Sequence, residues 1–374
     1  MKKPAALVLS LLLFATCLCP VCFAAEEDPF YAQEVPTDDL ETYAGVLTSV
    51  FSTAARIEEH PIRDVRFGES HCAILFEDGT VSSFQTFAWY ESTADFGECD
   101  TSAWKNVTRI ACGAESTYGV KKDGSIVFSG CPNWLGFDVG GVESATLKAA
   151  LSKKDYIDVA TEAYRPLFLL KKDGTVLVEL DEEDIYTDAL QWKNIIDIEM
   201  DEGILYALEK DGTLHVSTFY GDNITGKVED AVALKLIGCF VYAVLKDGSL
   251  LRLESVLPEL SQIDDDCLAW PQQGPEAEDA RYIWHIHNGL SDFGYLFETD
   301  DGDPILPEEL TGYAMDDWKN LQNLYSWIIF LPTAFDSADQ EEECLYYPEK
   351  ACQVLFLGLF EDGSASVALC TNPG

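Results

Sequence analysis

The sequence is poor in positive charge. Its 374 residues hold 24 Lys and Arg against 66 Asp and Glu, a net charge of −42 at neutral pH. Nucleic acid and anionic membrane surfaces are bound by neutralising phosphate with Lys and Arg, so both are excluded as partners. Such a balance favours solubility, cations or a basic partner. Beyond the start of the chain no apolar run reaches the ~18 residues of a membrane helix, and none inserts in a bilayer. Histidine is scarce at five residues. No Gly-x-Ser-x-Gly elbow or phosphate loop occurs, and Ser70–His71, adjacent on a strand, face opposite sides. His285 and His287 share a strand face but lack a third ligand at a recognisable spacing. None of the nine cysteines from Cys72 onward lies in a Cys-x-x-Cys pair, which argues against structural zinc and thioredoxin-like redox chemistry. The acidic runs at Asp181–Asp184, Asp264–Asp266, Asp300–Asp303 and Glu341–Glu343 miss the calcium-loop pattern and read as solvated loops. No catalytic residue, metal site or cofactor is assigned.

The start of the chain reads as a secretory signal. Lys2 and Lys3 precede the apolar stretch Leu7–Phe14, and Cys22-Phe23-Ala24 offers small residues for cleavage after Ala24 or Ala25. Residues 1–24 are assigned to the signal, and the protein is expected to be secreted or held at the cell surface. A lipoprotein is the rival reading, because Cys17 and Cys22 lie in or near the apolar run. Removing the signal leaves nine cysteines, an odd number, so at least one is unpaired or intermolecular. Cys344 and Cys352 flank an acidic, aromatic insert that they are expected to close.

What the chain does contain is repetition. Asp-Gly recurs seven times, at Asp78, Asp123, Asp173, Asp211, Asp247, Asp301 and Asp362. Between alternating apolar runs this pair signals a β-hairpin, here expected to turn as type I′ with positive φ at both central residues. Three residues before the Asp stand Leu75, Val120, Leu170, Leu208, Val244 and Leu359; two after the Gly stand Val81, Ile126, Val176, Leu214, Leu250 and Ala365. The period of two gives each hairpin one apolar face. The sixth copy departs, with Glu298 and Pro304 in those slots, and is expected to be shifted by one residue or distorted. Trp-Lys-Asn precedes a strand at Trp104, Trp192 and Trp318. One unit is thus Trp-Lys-Asn, a strand, the hairpin and a variable loop: three strands with space for a fourth. Strand repeats of this length must stack on their neighbours to bury their apolar face, and a closed ring of blades suits seven of them.

The segment Val107–Gly130, VTRIACGAESTYGVKKDGSIVFSG, resembles the repeat of the regulator of chromosome condensation (RCC1) family of β-propellers. The resemblance spans residues 63–374 and is most specific in the second to fifth copies. It implies an all-β fold, a seven-bladed propeller with four-stranded blades, of a degenerate, exported bacterial type, some members of which bind other proteins. The family's Gly-x-Asn-x-x-Gly-Gln-Leu-Gly segment is essentially absent, with only Cys131–Gly136 similar to it. That departure, with the charge and the signal, argues against a chromatin or nucleotide-exchange role. Residues 25–62 form an N-terminal helical or linker segment, with Leu40, Tyr43, Ala44, Leu47, Val50 and Phe51 at helical spacing.

Aromatic residues recur in the loops after the hairpins. Trp89, Tyr90, Trp134, Phe219 and Tyr220 are the expected partner-binding residues, on equivalent loops at one face. Tyr186 follows its hairpin in the same way. The competing reading packs such aromatics between blades. The expected function is a secreted, non-enzymatic scaffold that binds a protein or glycan. The alternative is an exported, glycan-active hydrolase with a carboxylate pair in the propeller mouth.

Overall fold

The computed structural model describes residues 52–260 with interruptions, chiefly at 86–96, 132–144 and 179–185, and beyond them 280–287, 292–299, 304–305, 318–330, 353–360 and 364–371. Nearly all of this is strand. Seven antiparallel meanders follow one another. They are β1 (Ile62–Phe67), β2 (His71–Phe76) and β3 (Val81–Gln85); β4 (Val107–Cys112), β5 (Ser116–Lys121) and β6 (Ile126–Gly130); and β7 (Tyr156–Ala160), β8 (Phe168–Lys171) and β9 (Val176–Val178). The fourth is β10 (Ile195–Asp201), β11 (Ile204–Glu209), β12 (Thr213–Thr218) and β13 (Asn223–Lys227), and the fifth is β14 (Ala231–Ile237), β15 (Phe240–Leu245) and β16 (Leu250–Arg252). The sixth is β17 (Ala280–His287), β18 (Asp292–Thr299) and β19 (Pro304–Ile305), and the seventh β20 (Leu321–Phe330), β21 (Gln353–Phe360) and β22 (Ala365–Thr371). The last two join into one six-stranded sheet through a parallel pairing of His287 with Tyr325. Only the fourth repeat has a fourth strand among the described residues, so the four-stranded blade is the exception there.

The hairpin register follows from the period-two pattern. Leu75 pairs with Val81, Val120 with Ile126, Leu170 with Val176, Leu208 with Leu214, Val244 with Leu250 and Leu359 with Ala365. The sixth copy keeps the same register, Glu298 with Pro304, and is shortened rather than shifted.

The turn is not type I′. Among the described turns only the glycine has positive φ, at Gly79, Gly124, Gly174, Gly212 and Gly248. Gly79 N–H donates to Phe76 O, and Phe76 N–H to Thr80 O; the next four copies repeat the first of these bonds. This is a tight turn closed by a left-handed glycine, so the Asp keeps an ordinary backbone. Its carboxylate instead accepts from the backbone N–H two residues on, at Thr80, Ser125, Thr175, Thr213 and Ser249. The turn Asp residues are held below the usual carboxylate range, Asp78, Asp173 and Asp247 first by the hydroxyl two residues on and then by its N–H, Asp123 first by Lys154, and Asp211, at about 2, first by the Thr213 N–H.

The core lies between the repeats. One cluster joins Leu75 and Val81 of the first repeat to Trp104 and Ile110 of the second. Others join the second to the third, the third to the fourth and the fourth to the fifth. A further cluster places Leu357 of β21 against Val65, Ile74 and Phe76, so the seventh repeat packs back on the first. The sheets of the first five repeats and the strands of the seventh thus complete one another's cores, which is the propeller arrangement, and each fully buried aliphatic or aromatic side chain contributes ~1.5–3 kcal/mol to it.

The Trp-Lys-Asn marker has two tasks at these interfaces. Its Trp is buried in each copy, Trp104 lying against Gly119 and Trp192 stacking on His215 at 5.3 Å. Its Asn is left-handed, with φ of 58° at Asn106, 59° at Asn194 and 55° at Asn320. Val107 N–H then meets Gly79 O, and Lys122 N–H meets Asn106 O. The same exchange joins Ile195 to Gly174 and Lys210 to Asn194. The turn of one repeat is thereby bonded to the first strand of the next.

Ahead of the first strand, Ser52, Thr53, Arg56 and Ile57 are helical. Ile57 enters the first-to-seventh cluster, and the Arg56 guanidinium lies 4.5 Å from the centre of the Phe76 ring. The other helical positions anticipated from Leu40 to Phe51 lie outside the described residues. So do Cys344 and Cys352, whereas Cys72, Cys112 and Cys131 are free thiols. Burial pushes the Cys112 thiol up to about 12, which keeps it unreactive.

A tight contact within the first repeat supports a stability prediction. A methyl group on Gly68 would stand 2.2 Å from His71 Cε1 and 2.4 Å from Gly113 O, and His71 is fully buried. Gly68→Ala is expected to cost ~1–3 kcal/mol by overpacking, read as a lower urea midpoint at unchanged m-value.

Candidate functional site

The first strand of six repeats carries the same defect. Register shifts between Ile62 and Asp64, Val107 and Arg109, Tyr156 and Asp158, Ile195 and Asp197, Ala231 and Ala233, and Leu321 and Asn323. One residue is left unpaired at each bulge, and a bulge re-aims the side chains around it. The residue just past the bulge is Asp64, Arg109, Asp158 and Asp197 in the first four repeats. With Arg66 and Glu199 these form the charged centre of the structure.

Arg66 is 15 % exposed and Glu199 12 %. Two guanidinium nitrogens of Arg66 grip the Glu199 carboxylate at 2.8 and 2.9 Å, and Nε lies 3.0 Å from Asp64. This bond crosses from β1 to β10, 133 residues apart. Burial alone lowers the Arg66 pKa, but the charges of Asp64 and Glu199 outweigh it and hold the guanidinium well above its usual value. Burial raises the Glu199 carboxyl despite Arg66.

Arg109 lies 3.3 Å from Asp158 and 3.6 Å from Asp197. Both carboxyls are 5 % exposed and hydrogen-bonded to each other. Burial first, and the Asp197 charge second, push Asp158 well above the carboxylate range, and burial raises Asp197 as well, so the pair retains a proton that a free carboxylate would release. Asp158 Oδ1 accepts from Val159 N–H and Oδ2 from Ile198 N–H; Asp197 Oδ2 accepts from Leu234 N–H at 2.8 Å. Each Asp therefore clasps the first strand of the next repeat. With one shared proton, the six groups carry two positive and three negative charges, close to balance. Two carboxyls in mutual contact leave no room between them for a sugar ring, so this pair does not make a glycosidase couple.

The charged centre was not anticipated from sequence. Its signal is present, as charged residues set among apolar ones in IRDVRF, VTRIAC, YIDVA and IIDIEM. The anticipated residues Trp89, Tyr90, Trp134, Phe219 and Tyr220 all lie outside the described residues. Tyr186 is described and is buried, its hydroxyl donating to Gly203 O and its ring edge-on to Phe168. It packs between the third and fourth repeats, as the competing reading held. Along β17 the register shifts between His285 and His287.

No family model and no curated protein matches the chain. Solved structures similar to it include yeast Prp20p (RCC1), described with its binding to Gsp1p and histones. That match is 13% identical, covers 65% of this chain and 70% of that one, and has a TM-score of 0.37. Human WBSCR16 is 17% identical with a TM-score of 0.31, over 51% of this chain and 61% of its own, so the chain spans less than two thirds of it. The computationally designed Ika8 protein is 13% identical, over 83% of this chain and 97% of its own, with a TM-score of 0.33. The β-propeller itself is defined by the chain's own strand order, hairpin register and packing between repeats.

Proposed function

We propose that the protein is an exported, non-enzymatic binding scaffold that recognises a protein or glycan outside the cell through the loops that follow the hairpins. The observation that carries this reading is where the repeated residues go. The Asp-Gly turns, the Trp-Lys-Asn markers and the central charges all hold one repeat to another, which leaves recognition to the segments that differ. β3, β6 and β12 are equivalent strands, and each ends opposite its Asp-Gly turn. The segments bearing Trp89 and Tyr90, Trp134, and Phe219 and Tyr220 therefore start from matching positions. Large aromatics so placed suit the anchor residues of an interface.

The test is affinity capture by the mature protein from extracellular material, read by mass spectrometry, with a variant in which all five aromatics are Ala. The captured partner is expected to be lost in the variant while the thermal transition is kept. An identified partner held equally well by the variant would overturn the assignment.

A further inference from the structure

The chain runs directly from each repeat into the next, whereas the first and seventh repeats meet only where the ring closes. Their shared cluster holds Cys72, Ile74 and Phe76 of β2 with Leu357 of β21, and Ile57, from ahead of the first strand, is buried in it too. The residues beside Ile57 are tied to the first repeat. The Arg56 guanidinium lies 4.5 Å from the centre of the Phe76 ring and donates to Ser82 Oγ at 2.7 Å and to Thr80 Oγ1. His60 stands edge-on to the same ring, with Nδ1 3.7 Å from Asp78. Pro61 O accepts from Glu77 N–H. Arg56 and His60 thus converge on the first Asp-Gly turn. Both are half-buried, so their bonds open more readily than the strands they rest on.

We propose that Arg56, Ile57 and His60 form a strap that locks the ring at this seam. Docked, it completes the cluster shared by the first and seventh repeats. Released, it lets Leu357 part from β2 while the second to fifth repeats stay packed. The local character follows from the alternation along β2. Cys72, Ile74 and Phe76 face the seam, whereas Ala73 and Leu75 belong to the cluster with the second repeat. Losing the strap therefore unloads one face of the first sheet and leaves the other in place. The clusters from the second repeat to the fifth share no residue with the seam.

Two native thiols read the two faces separately. Cys72 lies in the seam cluster and Cys112 in the cluster between the first and second repeats, and both are buried. A buried thiol reacts only when its surroundings open. The experiment is labelling of the full mature protein with iodoacetamide under native conditions, with the rate at each cysteine read by mass spectrometry. In Arg56→Ala, Cys72 is expected to label about tenfold or more faster than in wild type, while Cys112 keeps its wild-type rate. A Leu357→Cys probe on the other side of the seam is expected to accelerate with Cys72 when Arg56→Ala is added. Ser82→Ala removes one acceptor of Arg56 and keeps the turn; it is expected to give the same pattern more weakly, and it stands in if Arg56→Ala does not fold. Val216→Ala, in the core between the fourth and fifth repeats, is the control for general loosening and is expected to favour neither thiol. Equal acceleration of Cys72 and Cys112 in the strap variants, or no acceleration of Cys72, overturns the proposal. Acceleration of Cys72 without the Leu357→Cys probe also overturns it, because the strap would then cover the first repeat without holding the seventh.

Discussion

Arg66→Met is expected to lower stability by ~3–5 kcal/mol, because it leaves the buried Glu199 carboxylate beside Asp64 without its hydrogen-bonded counter-ion, Arg109 acting on them only at longer range. The measurement is urea unfolding at neutral pH. The direction follows from burial. In water the two carboxylates would be solvated, whereas here they lose both their solvation and the guanidinium that replaced it. The double change Arg66→Met with Glu199→Gln is expected to recover much of the loss, since the buried charge has gone. A single variant as stable as wild type would show that solvent reaches the cluster freely. A double variant no better than the single would show that Arg66 acts through packing rather than charge.

Stability is expected to fall as pH rises above the ordinary carboxylate range, against the usual trend. Asp158, Asp197 and Glu199 all have raised values, caused first by burial. Between the unfolded value of about 4 and the higher folded values, the native protein keeps protons that the unfolded chain has released, so rising pH favours unfolding. The turn residues Asp78, Asp123, Asp173, Asp211 and Asp247 have the opposite sign. Their contribution is present above the unfolded value and is lost as pH falls toward their depressed values. The thermal midpoint should therefore peak on the acid side of neutrality. Asp158→Asn keeps a donor for Asp197 and an acceptor for backbone N–H while removing the titration. Its midpoint is expected to change less between mildly acid and mildly alkaline buffer than that of wild type. Equal pH slopes in the two proteins would remove the Asp158–Asp197 pair as a source of the pH dependence.

The parts of the fold that are local in sequence were legible there. Leu75 opposite Val81 and Leu208 opposite Leu214 follow from counting outward from the Asp-Gly pair, because a two-stranded register depends only on the turn between the strands. The turn type was misread for want of one detail, the hydroxyl residue after six of the seven glycines, which marks an Asp using its side chain rather than its backbone, as at Thr80, Ser125, Thr175 and Ser249. The charged centre was missed for a different reason. Arg66 meets Glu199 only after the two intervening repeats have stacked, and no spacing within a repeat encodes that contact. The bulge also changes the apolar interval locally from two to three, as in Val107 to Ile110 and Ile195 to Ile198, which hides the alternation that would otherwise place those charges.

The seam between the seventh and first repeats bears on the order of assembly. Contacts such as Asn106 with Lys122 form as soon as a short stretch of chain is available, and each new repeat finds its predecessor already present. Leu357, by contrast, meets Val65 and Ile74 only after almost the whole chain has emerged. Such a contact closes a very long loop for a single interface, so it forms late, and until then the apolar side of the first repeat has no mate. The helical residues at Arg56 and Ile57, which rest on that side, are near enough in sequence to shield it from the outset. Until the seventh repeat arrives, they keep part of that apolar side out of water.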